Sequence, residues 1–462
     1  MARYAVYAYL FLIPSASFAV LTAVSSHDVA RIAQVILASL CAVGLAVDLV
    51  ASRKAISFGE PDPRAYGLSA ALSLCLLASV ASAAEPNMAL RELAVIAGCF
   101  SIAEVVATAA QKRKEMAYAL VLASILHAPP MLLVAISVQA HGLALQPQQV
   151  FVGFDNPRFL NHVQTVTLPL LAFAVATPHL SATWRMAALS GLFAGFFALF
   201  LTGGRATMVA LVVGACAACA LLGKRVLPLV CWSVAAALAG FLAWVSLTTD
   251  SSVTANMPDG VSSLVSSDSG RFYLWNIARQ HIGDSPIFGI GPMHFAHGMN
   301  AKAAHPHNIY LQIAAEWGLP ALGVVVTMAL LAFLKFVVRV KEQTNRSAFY
   351  EGAAILITWI AVAVDACFSG NLVMPVSQVW IAFLSGWAWA FWRSTASASP
   401  VLRDHLSLLA PLRVLVSTVL LAWLWYSIGP EVGALDSHLQ RQLESFPPVQ
   451  RPSPRFWSHG WF

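Results

Sequence analysis

Apolar residues in this chain come in long runs separated by short polar connections. The runs lie at about 4–24, 32–50, 66–84, 91–110, 116–138, 164–178, 186–202, 207–223, 226–247, 311–338, 350–368 and 375–391. A thirteenth candidate at 412–428 precedes a polar, proline-rich tail. Runs near twenty residues suit the hydrocarbon core of a bilayer, roughly 30 Å thick. Inside lipid a single segment satisfies its own N–H and C=O groups only as a helix, and these runs exceed the ten or so alternating residues of a barrel strand. The expectation is therefore an all-α polytopic membrane protein with about 12 transmembrane helices, 13 with the last candidate. The first run follows Arg3 in the manner of a signal peptide, but it lacks a small-residue cleavage site and a second run follows closely, so both read as retained spans. The same pattern divides the chain into 1–250 with nine spans, an outer loop at 251–307, the remaining spans at 308–430 and a tail at 431–462.

Composition narrows the class. Of 462 residues, 59% are apolar and 10% charged, with a mean hydropathy of +0.72, whereas a soluble domain carries about a quarter charged residues. That excludes an ordinary soluble enzyme, and 14 Trp and 25 Phe exclude disorder. Basic residues fall in alternate connections: Arg53/Lys54/Arg64, Lys112/Arg113/Lys114, Arg185, Lys224/Arg225, Arg339/Lys341/Arg346, then Arg393 and Arg403. With these in the cytoplasm the positive-inside rule is obeyed, and 139–163, Gly203-Gly204-Arg205 and 251–307 face the opposite side. Topology thus explains most of the +6 net charge, and no aromatic-basic surface points to nucleic acid. The seven cysteines all fall within spans; Cys216 and Cys219 read as packing residues rather than a metal pair.

The long outer connection concentrates the polar chemistry. Within 271–281, Tyr273, Leu274, Ile277 and Ala278 share one helical face, with Ser269 or Asp268 placed to cap the start. Gly289-Ile290-Gly291-Pro292 reads as a turn and not as a nucleotide loop, because the strand and the Lys-Ser/Thr pair are missing. Five of the 13 histidines follow: His281, His294, His297, His305 and His307. Any one alone reads as a hydrated loop residue. The cluster, and above all His305-Pro306-His307-Asn308 before an apolar helix, favours a role, since an imidazole near neutrality accepts a proton from a hydroxyl. His294 and His297 with His305 and His307 would complete a zinc shell, but the Gly-rich surroundings and the missing HExxH pattern weigh against it, so no metal is expected. Asn308 either orients the imidazole or caps the helix. Glu316 either pairs with a functional cation or braces two helices.

Arginines complete the set. Arg205, after two glycines, is either an interfacial anchor or a planar fork for phosphate oxygens that the glycines let approach. Arg271 offers a second fork, and Arg158 is either a third or a partner of Asp155. Permanent cations beside a neutral imidazole suit a pyrophosphate leaving group on a lipid carrier: the cations neutralise its developing charge while the imidazole deprotonates an acceptor alcohol.

The motifs LTGGRATMVAL with Arg205, SGRFYLWNIA with Arg271, the GIGP turn, and HPHNIYLQIAAEWGLPAL with His307, Asn308, Glu316 and Gly318 resemble the bacterial O-antigen ligase and polymerase superfamily across about residues 150–390. The resemblance implies a GT-C-like, metal-independent, inverting glycosyltransferase with no cofactor, using an undecaprenyl-diphosphate-linked glycan as donor. It assigns base function to the motif of His305 and His307, and diphosphate binding to Arg205, Arg271 and Arg158. It also implies a multi-pass protein of a bacterial inner membrane, with its active site facing the periplasm. Within the superfamily, the histidine loop between spans nine and ten and the lack of a large soluble domain after the spans favour a ligase acting in lipopolysaccharide biosynthesis, with lipid A-core as acceptor. Polymerases and protein O-oligosaccharyltransferases are the alternatives, the latter drawing support from a thirteenth span, which would put the tail outside. A transporter or flippase of the same lipid-linked glycan is the alternative of another class.

Overall fold

A computed structural model describes residues 2–15, 24–52, 63–108, 112–142, 153–249, 270–300, 302–395, 409–445 and 453–462. The apolar runs form α1 (Ala2–Ser15), α2 (Ser26–Ser52), α3 (Pro63–Ser82), α4 (Pro86–Thr108), α5 (Arg113–Ala140), α6 (Pro157–Ala176), α7 (Ala182–Thr202), α8 (Arg205–Leu222) and α9 (Leu227–Thr249). After the outer connection come α10 (Arg271–Asp284), α11 (Ile309–Trp317), α12 (Leu319–Lys341), α13 (Arg346–Asp365), α14 (Pro375–Thr395), α15 (Leu409–Val432) and α16 (Leu435–Ser445). Nine stretches among the described residues are long and apolar enough to cross a membrane, and one of them, Arg205–Ser246, runs through both α8 and α9. Of the sequence expectations, Arg53, Lys54, Arg403 and the whole of 251–269, with Asp268 and Ser269, lie outside the described residues.

Contacts between helix ends show how the bundle alternates. At one end Arg113 pairs with Glu351 at 2.6 Å, Arg3 with Glu115 at 3.6 Å and Arg413 with Glu104 at 3.8 Å, while Thr177 meets Ser347 at 2.6 Å. At the other end the Asp155 carboxylate accepts from the backbone N–H groups of Ser26 and His27, and Arg91 pairs with Glu431 at 2.7 Å. The basic connections around Arg113, Arg185, Arg225, Arg339 and Arg346 gather at the first end. The alternation of basic connections in the sequence is thus an alternation between the two ends of the bundle. Burial sorts the helices as well: α6 is buried over 89% of its span and α13 over 72%, against 11% for α3 and α12. The inner helices α6 and α13 carry the polar groups described below, and the outer pair presents side chains to the surroundings.

Two elements differ from the sequence expectation, each for a local reason. α6 starts seven residues earlier than the apolar run, because Asn156 accepts from the backbone N–H of Arg158 and Pro157 suits the first helical position. Arg158, Asn161 and His162 therefore sit on a helix and not in a loop. The run at 311–338, read as one span, is broken at Gly318, whose φ is +89°. The segment after α10 passes through that break: the Ile290 and Gly291 N–H groups donate to the Ala315 and Glu316 carbonyls at 2.9 Å, and Leu319 N–H donates to the Pro286 carbonyl at 2.8 Å. A Cβ on Gly318 would collide with the Ile287 carbonyl. Gly318→Ala is therefore expected to destabilise the protein by at least about 1–3 kcal/mol, the cost of a left-handed non-glycine residue before any clash is counted. Thermal unfolding in detergent measures this, and an unchanged midpoint would contradict it.

Candidate active site

Three arginines meet at one end of the bundle because three helices begin there. Arg205 is the first residue of α8, Arg271 the first of α10 and Arg158 the second of α6. The guanidinium of Arg158 lies within electrostatic reach of both others, and its Nη1 donates to the Gly203 carbonyl at 2.8 Å, beside Arg205. Asp155 does not pair with Arg158; its carboxylate caps the start of α2. The N-cap positions of α8 and α10 are Gly204 and Gly270, which supply no capping side chain. The N-termini of α8 and α10, the positive ends of their helix dipoles, therefore lie at the same end of the bundle as the three arginines, an arrangement suited to an anion. Gly204 is packed against Asn161, whose Cγ would be 2.7 Å from a Cβ there. Asn161 in turn donates to Thr202 at 2.7 Å and to Gln164 at 2.9 Å, which fixes the turn that presents Arg205.

Beside the arginines stands the histidine pair. The rings of His305 and His307 are 4.1 Å apart at 66°. His307 has φ +52°, and this left-handed turn directs its backbone N–H to Nδ1 of His305 at 3.3 Å. His305 is buried, and burial with the charge of Arg455 and its histidine neighbours holds its pKa well below 6.5, so it is neutral. His307 is partly exposed, and neither ring nitrogen makes a hydrogen bond among the described residues. Burial, then the nearby Arg271, lowers its pKa to about 4, leaving a neutral imidazole at pH 7. The ring is thus in the unprotonated form that a general base requires, although the same effects weaken its affinity for the proton.

The turn after α13, residues 366–374, holds these parts together and was not singled out in the sequence. Arg271 Nε donates to the Phe368 carbonyl at 3.1 Å, and the N–H of Ile309, which opens α11, donates to the Ala366 carbonyl at 2.9 Å. Gly370 lies so close to His305 that a Cβ would sit 2.5 Å from Cε1 of the ring. Asp365, fully buried, accepts from Ser369 at 2.7 Å and weakly from Thr207, two residues into α8 from Arg205. His162, one turn from Arg158 on α6, is also buried, within electrostatic reach of His307, and its Nδ1 has no partner among the described residues. Its i,i+4 spacing from Arg158 was the available signal once the helix is seen to start at Pro157.

The remaining sequence candidates have structural partners. Asn308 caps α11, accepting from the N–H groups of Tyr310 and Leu311 at 3.0 Å. Glu316 pairs with Arg455 at 2.7 Å, and not with one of the three clustered arginines, and accepts from Phe295 N–H at 3.0 Å. His294 is held at both nitrogens: Nε2 accepts from Glu85 N–H at 2.9 Å, while Nδ1 faces the Pro292 carbonyl at 2.8 Å. That use of both nitrogens removes His294 from a zinc shell with His297, His305 and His307, and no group of three His, Cys, Asp or Glu side chains in metal-binding geometry occurs among the described residues. In α10, Leu274 and Ala278 are buried as the periodicity predicts, whereas Tyr273 is exposed.

Residues 190–326 match the family model described as O-antigen ligase. The matched segment runs from α7 through the break at Gly318, so it contains Arg205, Arg271, both histidines and Glu316, but neither Arg158 nor Asp365. Members of this family are glycosyltransferase-like enzymes that act on lipid-linked glycans, and the match supports the O-antigen ligase superfamily for this protein. A comparison with curated proteins finds none that matches.

Proposed function

We propose that this protein is an O-antigen ligase, transferring a preassembled glycan from undecaprenyl diphosphate to a hydroxyl of lipid A-core at the periplasmic face of a bacterial inner membrane. One observation carries the reading: three helix starts bring Arg158, Arg205 and Arg271 together, next to a neutral His307 whose ring nitrogens are unengaged among the described residues. In this proposal the arginines grip the diphosphate and offset the negative charge that grows as the glycosidic bond breaks. His307 takes the proton from the attacking hydroxyl, and attack from the face opposite the diphosphate inverts the anomeric carbon. His305, through its contact with the His307 N–H, sets the ring in place.

Protein O-glycosylation is the second reading, because residues 453–462 pack at the same end of the bundle as the arginines, as a tail beyond a thirteenth span would. The test incubates purified protein and undecaprenyl-diphosphate-linked glycan separately with lipid A-core, a second lipid-linked repeat and pilin, with mass spectrometry of the products. Glycosylated lipid A-core is expected. A product on either other acceptor moves the protein to the polymerase or protein-glycosylating branch. Unchanged donor in every arm, with donor moved across reconstituted vesicles, replaces the enzyme with a flippase.

A further inference from the structure

Residues 453–462 read in sequence as part of a polar tail, yet seven of the ten are buried and none is exposed. Arg455 is 3% exposed, with Nη2 at 2.6 Å from Glu92 and 2.7 Å from Glu316. Ser458 donates from its N–H and its hydroxyl to the two Asp28 oxygens, both at 2.6 Å, and Trp457 Nε1 donates to Glu431 at 2.7 Å. Arg31 donates to the carbonyls of Phe456 and Arg455. One side of the segment is thereby fixed to α2, α4 and α15.

Its other side lies against the loop that carries the histidines. A Cβ at Gly460 would be 3.1 Å from the Cβ of Ala304, the residue before His305. Trp461 is buried against Ala296 and Ala304, and the Phe462 N–H reaches the Ala296 carbonyl at 3.4 Å. Glu316 joins the two: one carboxylate oxygen accepts from Phe295 of the loop, the other from Arg455 of the segment. The histidine loop is thus held before, immediately beside and after its His-Pro-His sequence. Pro306 has a fixed φ, so a displacement at Ala304 passes to both imidazoles.

We propose that residues 453–462 form a strap that positions the histidine loop, with Arg455 as its anchor and Trp461 as its point of contact. The proposal rests on His307 being the base. Among the described residues Trp461 makes no hydrogen bond or ring contact with the three arginines, His305 or His307, so it is a positioning residue, and its loss acts on the chemical step and not on donor binding. A misplacement of about 1 Å in a reacting group lowers rates by as much as about 10²-fold.

The experiment uses the full chain and the acceptor identified by the product assay. Trp461→Ala is expected to lower kcat by about 10- to 100-fold per folded molecule with donor KM within about twofold, and Trp461→Phe to restore most of the rate. Arg455→Lys, which keeps the charge but carries it on a differently shaped head in place of the Nη2 that meets both carboxylates, should fall between. Wild-type kcat in folded Trp461→Ala overturns the strap, as does a rate that falls only in step with the folded fraction. If Trp461→Ala does not fold, Ala304→Gly removes the same contact from the loop side, and an unchanged kcat there also overturns it. A His307→Ala enzyme that still turns over refutes the base assignment instead, whatever the Trp461 variants do.

Discussion

Replacing His307 with alanine is expected to lower glycan transfer by about 10²–10⁴-fold, the usual share of a positioned general base. The protein should remain folded in the membrane, because the His307 ring makes no hydrogen bond among the described residues and its neighbour His305 keeps its packing against Gly370. The pH dependence has a definite sign. With a pKa of about 4, His307 is deprotonated on the whole physiological range, so the rate should hold a plateau near neutrality and fall only as pH drops towards about 4. Its contribution to stability runs the same way: protons prefer the unfolded chain, where the imidazole titrates near 6.5, so that contribution is complete above pH 6.5 and is lost as pH falls towards about 4. A folded His307→Ala enzyme with wild-type turnover would move the base elsewhere, and an acid limb centred near 6.5 would mean that the ring is better hydrated than its surroundings indicate.

Arg271→Ala should cost about 10²–10³-fold in kcat, as removal of a preorganised charge from a developing anion does elsewhere. Arg205→Ala should match it, and Arg158→Ala, on a more exposed side chain, should lose less. Arg271→Lys keeps the charge without the planar fork, so an intermediate rate is expected. The same variants separate roles: loss in kcat with donor KM little changed marks charge felt in the transition state, whereas loss in KM alone marks ground-state grip. Full activity of Arg205→Ala in a folded protein would reduce that residue to an interfacial anchor. Measuring all three against one donor at fixed ionic strength keeps screening constant.

Much of this architecture was readable from the chain because each span carries its own signal. Hydropathy located the helices, and basic residues in alternate connections matched the two ends at which Arg113 pairs with Glu351 and Arg91 with Glu431. Arg205, Arg271 and the histidine pair were legible for the same reason: each sits in a short motif with unusual local composition. What was not legible depends on distant partners. Glu316 and Arg455 are 139 residues apart, and nothing around either names the other. The break at Gly318 is invisible to hydropathy, since apolar residues continue on both sides, and its cause is the passage of residues 286–291 through the gap. Asp365 and Gly370 end one apolar run and precede the next, so they look like an ordinary connection until Gly370 is found against His305.

The three clustered arginines also carry a timing consequence. They lie on helix starts far apart along the chain, so ribosomal synthesis delivers Arg158 and Arg205 to the membrane well before Arg271 and the histidine loop emerge. A half-made chain therefore holds only two of the three cations, and the full cluster forms once α10 has joined the bundle.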